Sequence, residues 1–346
     1  WGDLMRMNFS VGMGRNLSMH EIARHAIVAE ENGFREITFV DQPNLSRDVY
    51  AMMVVAALNT SRVKIGHGVT DTYTYHPWVT ANATASLNEL AGGRAFLGIG
   101  VGGAYGKTMK PRKLAELSNA VQFIRDYTSG NDAEFDGQIM HSEWIRDQFP
   151  IYIASSGPKS CQLAGEIGDG VILATPMMPE IVRRNVELVY EGAERVGRDP
   201  AEIDIWLRTL VYVAESKEAA RREVAGYAVT KAYATYQALL RNNQNTAQQK
   251  ELLDTLSPGI LDELEVIHNS FDPYQHERTD ASQNVLASQE VVDSFLLTGT
   301  PDDICDQIYN LGKVGVTNIS TVVFTVIDKV GMMKEIGNHI MPNFRN

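Results

Sequence analysis

The run Ala154-Ser155-Ser156-Gly157-Pro158-Lys159 joins two hydroxyls, a glycine, a proline fit for a first helical position and an ammonium. Placed where a strand hands over to a helix, such a run offers free backbone N–H groups and a cation to a phosphate. A plain turn with a serine cap is the competing reading. Asp41 follows an apolar strand, and His76 follows the polar, aromatic loop 70–75. Each is a candidate acid, base or hydrogen-bond partner at a strand end. The alternatives are that Asp41 caps the loop before Pro43 and that His76 is a packing histidine. Arg208 and Tyr212 share one facing parity on a later strand. An arginine aimed into a barrel interior needs an anionic partner.

Gly98, Gly100 and Gly103 spell G-x-G-x-x-G. They lie within a strand and its exit, and no acidic residue about twenty positions on falls at a second strand end, so dinucleotide binding of the Rossmann type is not expected. Close approach of backbone to a flat ring is the better use of these glycines and of Gly68. Lys107, Lys110, Arg112 and Lys113 form a basic cluster that suits an anionic ligand tail or, more commonly, a solvated helix start. Glu166 and Asp169 read as local structure. The histidines have no metal-ligand spacing, and no Ser-His-Asp or catalytic cysteine pattern is present, so no metal is expected.

Positioning these groups requires alternating strands and helices. Apolar or β-branched runs predict strands at 8–12, 36–40, 62–68, 94–99, 151–154, 170–174, 203–214 and 317–324. Helices are expected from Ser18, with Glu21 completing a capping box, and over 48–59, 78–90, 113–128, 160–167 and 180–196. Thr300-Pro301 starts another well, and a last one lies near 329–340. Residues 133–144 read as a hairpin turning at Asp136-Gly137. Eight β/α units predict an α/β fold of the (β/α)8 TIM barrel type, with site residues where strands end. The chain reads as one domain over 1–346. Its largely helical insertion at 217–289 separates strands seven and eight and is expected to act as a lid, with Tyr274 and His276 as substrate contacts.

Composition narrows the function classes. The chain has 346 residues, 44% hydrophobic and 21% charged, with a formal net charge of −12. That balance suits a globular core and argues against general nucleic-acid or membrane-surface binding. No apolar run reaches a membrane-spanning length and no signal peptide is evident. Trp1-Gly2-Asp3-Leu4 does not read as a native start, and Met5 or Met7 is the expected one. With only Cys161 and Cys305, a disulfide framework is not available, and a cytoplasmic setting is expected.

Three segments carry a family resemblance: GHGVTDTYTYHP with ATASLNELAGGRAFLGIGVGG, then IYIASSGPKSCQLAGEIGDGVIL, and near the end VVDSFLLTGTPDDICDQI. Together they resemble the bacterial luciferase-like flavin-dependent oxidoreductases, and most of all the methylenetetrahydromethanopterin reductase branch, whose typical members use F420. The resemblance runs from about Met7 to Ile327. It implies a barrel with a flavin or F420 across its C-terminal mouth, and a bulge with a cis non-prolyl peptide at Gly68-Val69 backing the ring near Thr70. It further implies Gly100 and Gly102 flanking that ring, Asp41 reaching towards ring or substrate, and the loop of Ser155, Ser156, Gly157, Pro158 and Lys159 on the cofactor phosphate. Tyr75 stands where the branch often has arginine, which argues against the branch's pterin substrate.

Two enzymatic functions compete. The first is a two-component monooxygenase that takes reduced FMN from a partner flavin reductase and uses O2 on a small organic substrate; it is the preferred expectation. The second is hydride transfer with F420, which the basic cluster favours. A non-catalytic flavin-binding protein and an unrelated phosphate-binding barrel enzyme rank lower. A homodimer is the expected assembly.

Overall fold

The computed structural model describes residues 5–43, 45–102, 110–241, 256–272, 281–323 and 326–344. Eight parallel strands form its centre: β1 (Asn8–Met13), β2 (Glu36–Phe39), β3 (Lys64–His67), β4 (Ala95–Gly100), β5 (Ile151–Ser155), β6 (Gly170–Leu173), β7 (Asp204–Thr209) and β8 (Asn318–Val322). Each pairs with the next, and β8 pairs back onto β1, so the sheet closes into a (β/α)8 barrel. The outer layer is α1 (Met19–Glu31), α2 (Val49–Leu58), α3 (Pro77–Leu90), α4 (Leu114–Thr128), α5 (Pro158–Ile167) and α6 (Pro179–Arg195). Helices α7 (Lys217–Arg241), α8 (Pro258–Ser270) and α9 (Gln289–Phe295) lie between β7 and the crossover helix α10 (Pro301–Gly312), and α11 (Lys329–Glu335) follows β8. The hairpin expected before β5 pairs Ala133–Phe135 with Gln138–Met140.

Alternation along the strands divides the core in two. Val11, Ile37, Leu97, Ile153, Val171, Ile205 and Ile319 face outwards and are buried under the helices. The opposite parity fills the lumen, and its two halves differ in chemistry. Phe96, Tyr152, Ile172 and Trp206, from β4 to β7, form a separate apolar cluster with Tyr152 and Trp206 ring centroids 4.5 Å apart. From β8, β1 and β2 come Asn318, Ser320, Ser10, Glu36 and Thr38, all buried.

At the N-terminal end this lumen is hydrogen-bonded. The Asn318 amide donates to Glu36 at 2.8 Å, Arg35 pairs with Glu36 at 3.0 Å, and the Tyr152 hydroxyl donates to Asp204 at 3.0 Å. Burial pushes the Glu36 carboxyl up to about 7, with Arg35 opposing.

Two sequence expectations change in detail. The strand predicted over 203–214 breaks after Thr209. The Leu210 carbonyl accepts from Leu297, and Val211 N–H goes to the Thr321 hydroxyl. Val211–Val213 then pairs with Leu297–Gly299 instead of β8, so the chain exchanges its partner and leaves the barrel towards the insertion. The glycines of β4 also have a different cause. A Cβ on Gly98 would stand 2.2 Å from the His67 carbonyl oxygen, so the wall itself, not a ligand, excludes a side chain there.

Gly98→Ala is therefore expected to lose about 3 kcal/mol of stability, because the obstructing atom is backbone in a neighbouring strand. Urea unfolding checks this, and a midpoint equal to that of the parent would show that β3 can shift away.

Candidate active site

The C-terminal strand ends meet at the barrel mouth, and the exit of β3 is its most elaborate part. Gly66 pairs with Phe96, and Thr70 pairs with Ile99. Four steps on this side thus match three on β4, which defines a bulge of one residue at Gly68-Val69. The peptide bond between those two residues is cis. A Cβ on Gly68 would lie 2.5 Å from Thr38 Cβ and 3.0 Å from Arg208 Nη1, so this glycine seats against the lumen wall.

Past the bulge, the Thr70 hydroxyl donates to Asp41 Oδ2 at 2.6 Å. Asp41 is 6% exposed, and burial raises its pKa from 3.8 to about 6. The Thr70 bond opposes that rise, while the negative charges of Asp71 and Asp48 add to it. An acid of this kind changes charge just below neutrality, where it can hold or release a proton.

Neighbouring acids hold the loop. Asp71 accepts the N–H groups of Tyr73 and Thr74 at 2.7 and 2.8 Å. Gly102, at φ +74, lies so close to Asp71 that a Cβ would stand 2.8 Å from its carboxylate. Gly100 faces Ala154, with 3.1 Å between the would-be Cβ and that methyl. Tyr75 donates to Asp48 at 3.0 Å, while Asp48 also caps α2 through the Ala51 N–H. Arg112, from the basic cluster, lies over the Tyr73 ring at 4.4 Å and pairs with Glu116 at 3.6 Å.

His76 is placed differently from Asp41. Its Nδ1 accepts the Trp78 N–H at 3.2 Å as the N-cap of α3, and its ring meets Phe135 edge-on, with centroids 5.0 Å apart. These contacts match the packing alternative better than an acid–base role, and they explain why α3 begins at Pro77, one residue earlier than its periodicity predicts.

At the exit of β5, Ser155 and Ser156 diverge. Ser155 is buried, with its Oγ 2.7 Å from that of Ser160 and 3.1 Å from Cys161 Sγ, so it braces the turn instead of lining a cradle. Ser156 and Lys159 are exposed. Gly157 caps α5, Pro158 opens it, and the space a Gly157 Cβ would occupy is open to 4 Å. These three residues and the free first-turn N–H groups fit a phosphate. Tyr274, His276 and Lys107 lie outside the described residues. Among those described, no group of three His, Cys, Asp or Glu side chains could hold a metal ion, and no helix is long and apolar enough to cross a membrane.

The luciferase-like monooxygenase family model matches residues 5–318. The chain belongs to that family. It is 29% identical to 5,10-methylenetetrahydromethanopterin reductase of Archaeoglobus fulgidus, over 98% of this chain and 100% of the relative. A second relative, F420-dependent glucose-6-phosphate dehydrogenase of Gordonia bronchialis, is 30% identical over 53% of this chain and 62% of its own length. The barrel superposes on the coenzyme F420-dependent tetrahydromethanopterin reductase of Methanopyrus kandleri with a TM-score of 0.77, 23% identity, and coverage of 98% and 100%. The family member described here is an oxidoreductase.

The sequence located Asp41 and Thr70 but not their direct bond, which joins the exits of two neighbouring strands. It also missed Tyr75 as the partner of Asp48. The tyrosine hydroxyl and the helix-capping aspartate were visible, but their pairing was not.

The raised Asp41 pKa has a signed consequence. A carboxyl that holds its proton more tightly when folded costs stability as pH climbs from its unfolded value, near 4, to about 6, and the loss persists above. Asp41→Asn cannot ionise, so its stability relative to the parent should improve between pH 4.5 and 7.5. Urea unfolding at the two pH values measures this, and an unchanged difference would remove Asp41 as the titrating group.

Proposed function

We propose that the protein transfers hydride between F420 and a small organic substrate. The observation that carries this reading is similarity along the whole chain to the A. fulgidus reductase, with 100% of that relative covered. The Gordonia relative is an F420-dependent dehydrogenase, which supports F420 as the cofactor. Both favour hydride transfer over the FMN monooxygenase expected first, and hydride transfer needs no flavin reductase to deliver a reduced cofactor.

Bound F420 would supply the hydride-carrying centre. Of the chain's own residues, Ser156, Gly157 and Lys159 would hold its phosphate at the start of α5. The Gly68-Val69 bulge and the exit of β4 would back the ring, and Asp41, held by Thr70, would give the carbonyl oxygen of a substrate its proton as hydride reaches the carbon, or take it back in the reverse direction. Tyr75, neutral and bonded to Asp48, removes the positive charge that the reductase branch often has at this position, which favours a substrate other than the branch's pterin.

Anaerobic titration with F420 and, separately, FMN tests this reading. Micromolar F420 binding is expected, with markedly weaker FMN. Lys159→Ala should weaken F420 by about tenfold, the scale of one charge-assisted hydrogen bond. Preferential FMN binding with oxygen-dependent turnover would restore the monooxygenase reading.

A further inference from the structure

The lumen contains a cation whose pairing is incomplete. Arg208 sits one residue before the end of β7, and in an eight-stranded barrel β7 lies opposite β3. Its guanidinium nevertheless reaches Gly68, at the exit of β3, and so crosses the lumen beneath the mouth. Nη1 is buried and has no hydrogen-bond partner among the described residues.

The nearby polar side chains show the same deficit. Arg208 is in register with Ser320, Ser320 with Ser10, and Ser10 in turn with Glu36, so Ser10 lies deeper along this row than Ser320. Thr38 adjoins Gly68 and Gly12. Ser10, Thr38 and Ser320 are 0%, 0% and 1% exposed, and none of their hydroxyls has a partner among the described residues.

Lumen carboxylates do not fill the gap. Glu36 and Asp204 open their strands at the N-terminal end and are engaged with Asn318, Arg35 and Tyr152. A buried guanidinium nitrogen without a partner calls for an acceptor, best a negatively charged one, and the neighbouring hydroxyls can donate to the same group. Arg208 is itself only half-buried, so the cluster connects with the mouth.

We propose that Arg208, with the hydroxyls of Thr38 and Ser320, forms an anion-recognition site in the floor of the mouth, taking a negatively charged oxygen. Two ligands present that chemistry: the imide edge of the cofactor ring, which becomes more anionic on reduction, and the carboxylate of a small substrate. The first source rests on the F420 reading, and the second does not.

The test uses the full chain and the variants Arg208→Gln and Arg208→Lys. Removing a charge that has no partner should leave the Tm of the ligand-free protein unchanged or higher, whereas a purely structural arginine would lower it. If the ring edge is the ligand, Arg208→Gln should weaken reduced F420 at least tenfold more than oxidised F420, measured anaerobically by fluorescence, and lysine should restore part of the loss. If a carboxylate is the ligand, the ratio of the two F420 affinities should stay fixed. Acetate should then raise the Tm of the parent protein but not that of Arg208→Gln. A lower Tm for Arg208→Gln with both F420 affinities and the acetate response unchanged would overturn the site, as would no change in any readout. Should the parent bind neither form of F420, the proposed function falls, and the acetate comparison alone decides the anion site.

Discussion

The closeness of β3 to β4 is the constraint on which the mouth depends. Gly98 must lack a side chain because the carbonyl of His67 occupies its place. With the two strands pressed together, the extra residue in β3 cannot be absorbed within the ladder and emerges as the bulge at Gly68-Val69, after which Thr70 regains register with Ile99. That recovery brings the Thr70 hydroxyl to Asp41 on the neighbouring strand exit. The bond that positions the candidate acid is therefore set by packing in the barrel wall.

The lumen has a second asymmetry. Its β4–β7 half is closed by aromatic packing around Trp206, and its β8–β2 half is lined by small hydroxyl and amide side chains. In the polar half, Asn318 and Arg35 engage Glu36 at the N-terminal end, while Thr38, Ser320 and Arg208 Nη1 lack partners among the described residues nearer the mouth. The candidate site residues thus lie at the end of the strands opposite the Glu36 pairings, as expected of a barrel whose chemistry lies at its C-terminal face.

Charge around the mouth follows from the same geometry. Asp41, Asp48 and Asp71 converge on one sector, so burial and mutual repulsion keep Asp41 protonated to higher pH, while Asp48 and Asp71 are occupied with backbone N–H groups and Tyr75. One acid remains poised and two are structural. Arg208 supplies positive charge in the floor, reached from the opposite side of the barrel.

Much of this was determined by the sequence alone. Alternating apolar runs and capping residues gave eight β/α units, the Ser18–Glu21 box and the start of α10 at Pro301, because these signals depend on neighbours within a few residues. The motifs around Gly68, Gly98 and Gly157 carried the family. Tertiary structure alone decided which glycines serve the wall, why Val211–Val213 after β7 pairs with Leu297–Gly299 instead of β8, and that Ser155 turns inward while Ser156 stays exposed. It also made His76 a helix cap, joined Thr70 to Asp41, and left Arg208 Nη1 without a hydrogen-bond partner among the described residues. Each of these outcomes depends on a contact between strands or helices far apart in the chain, and spacing along one segment holds no information about such a contact.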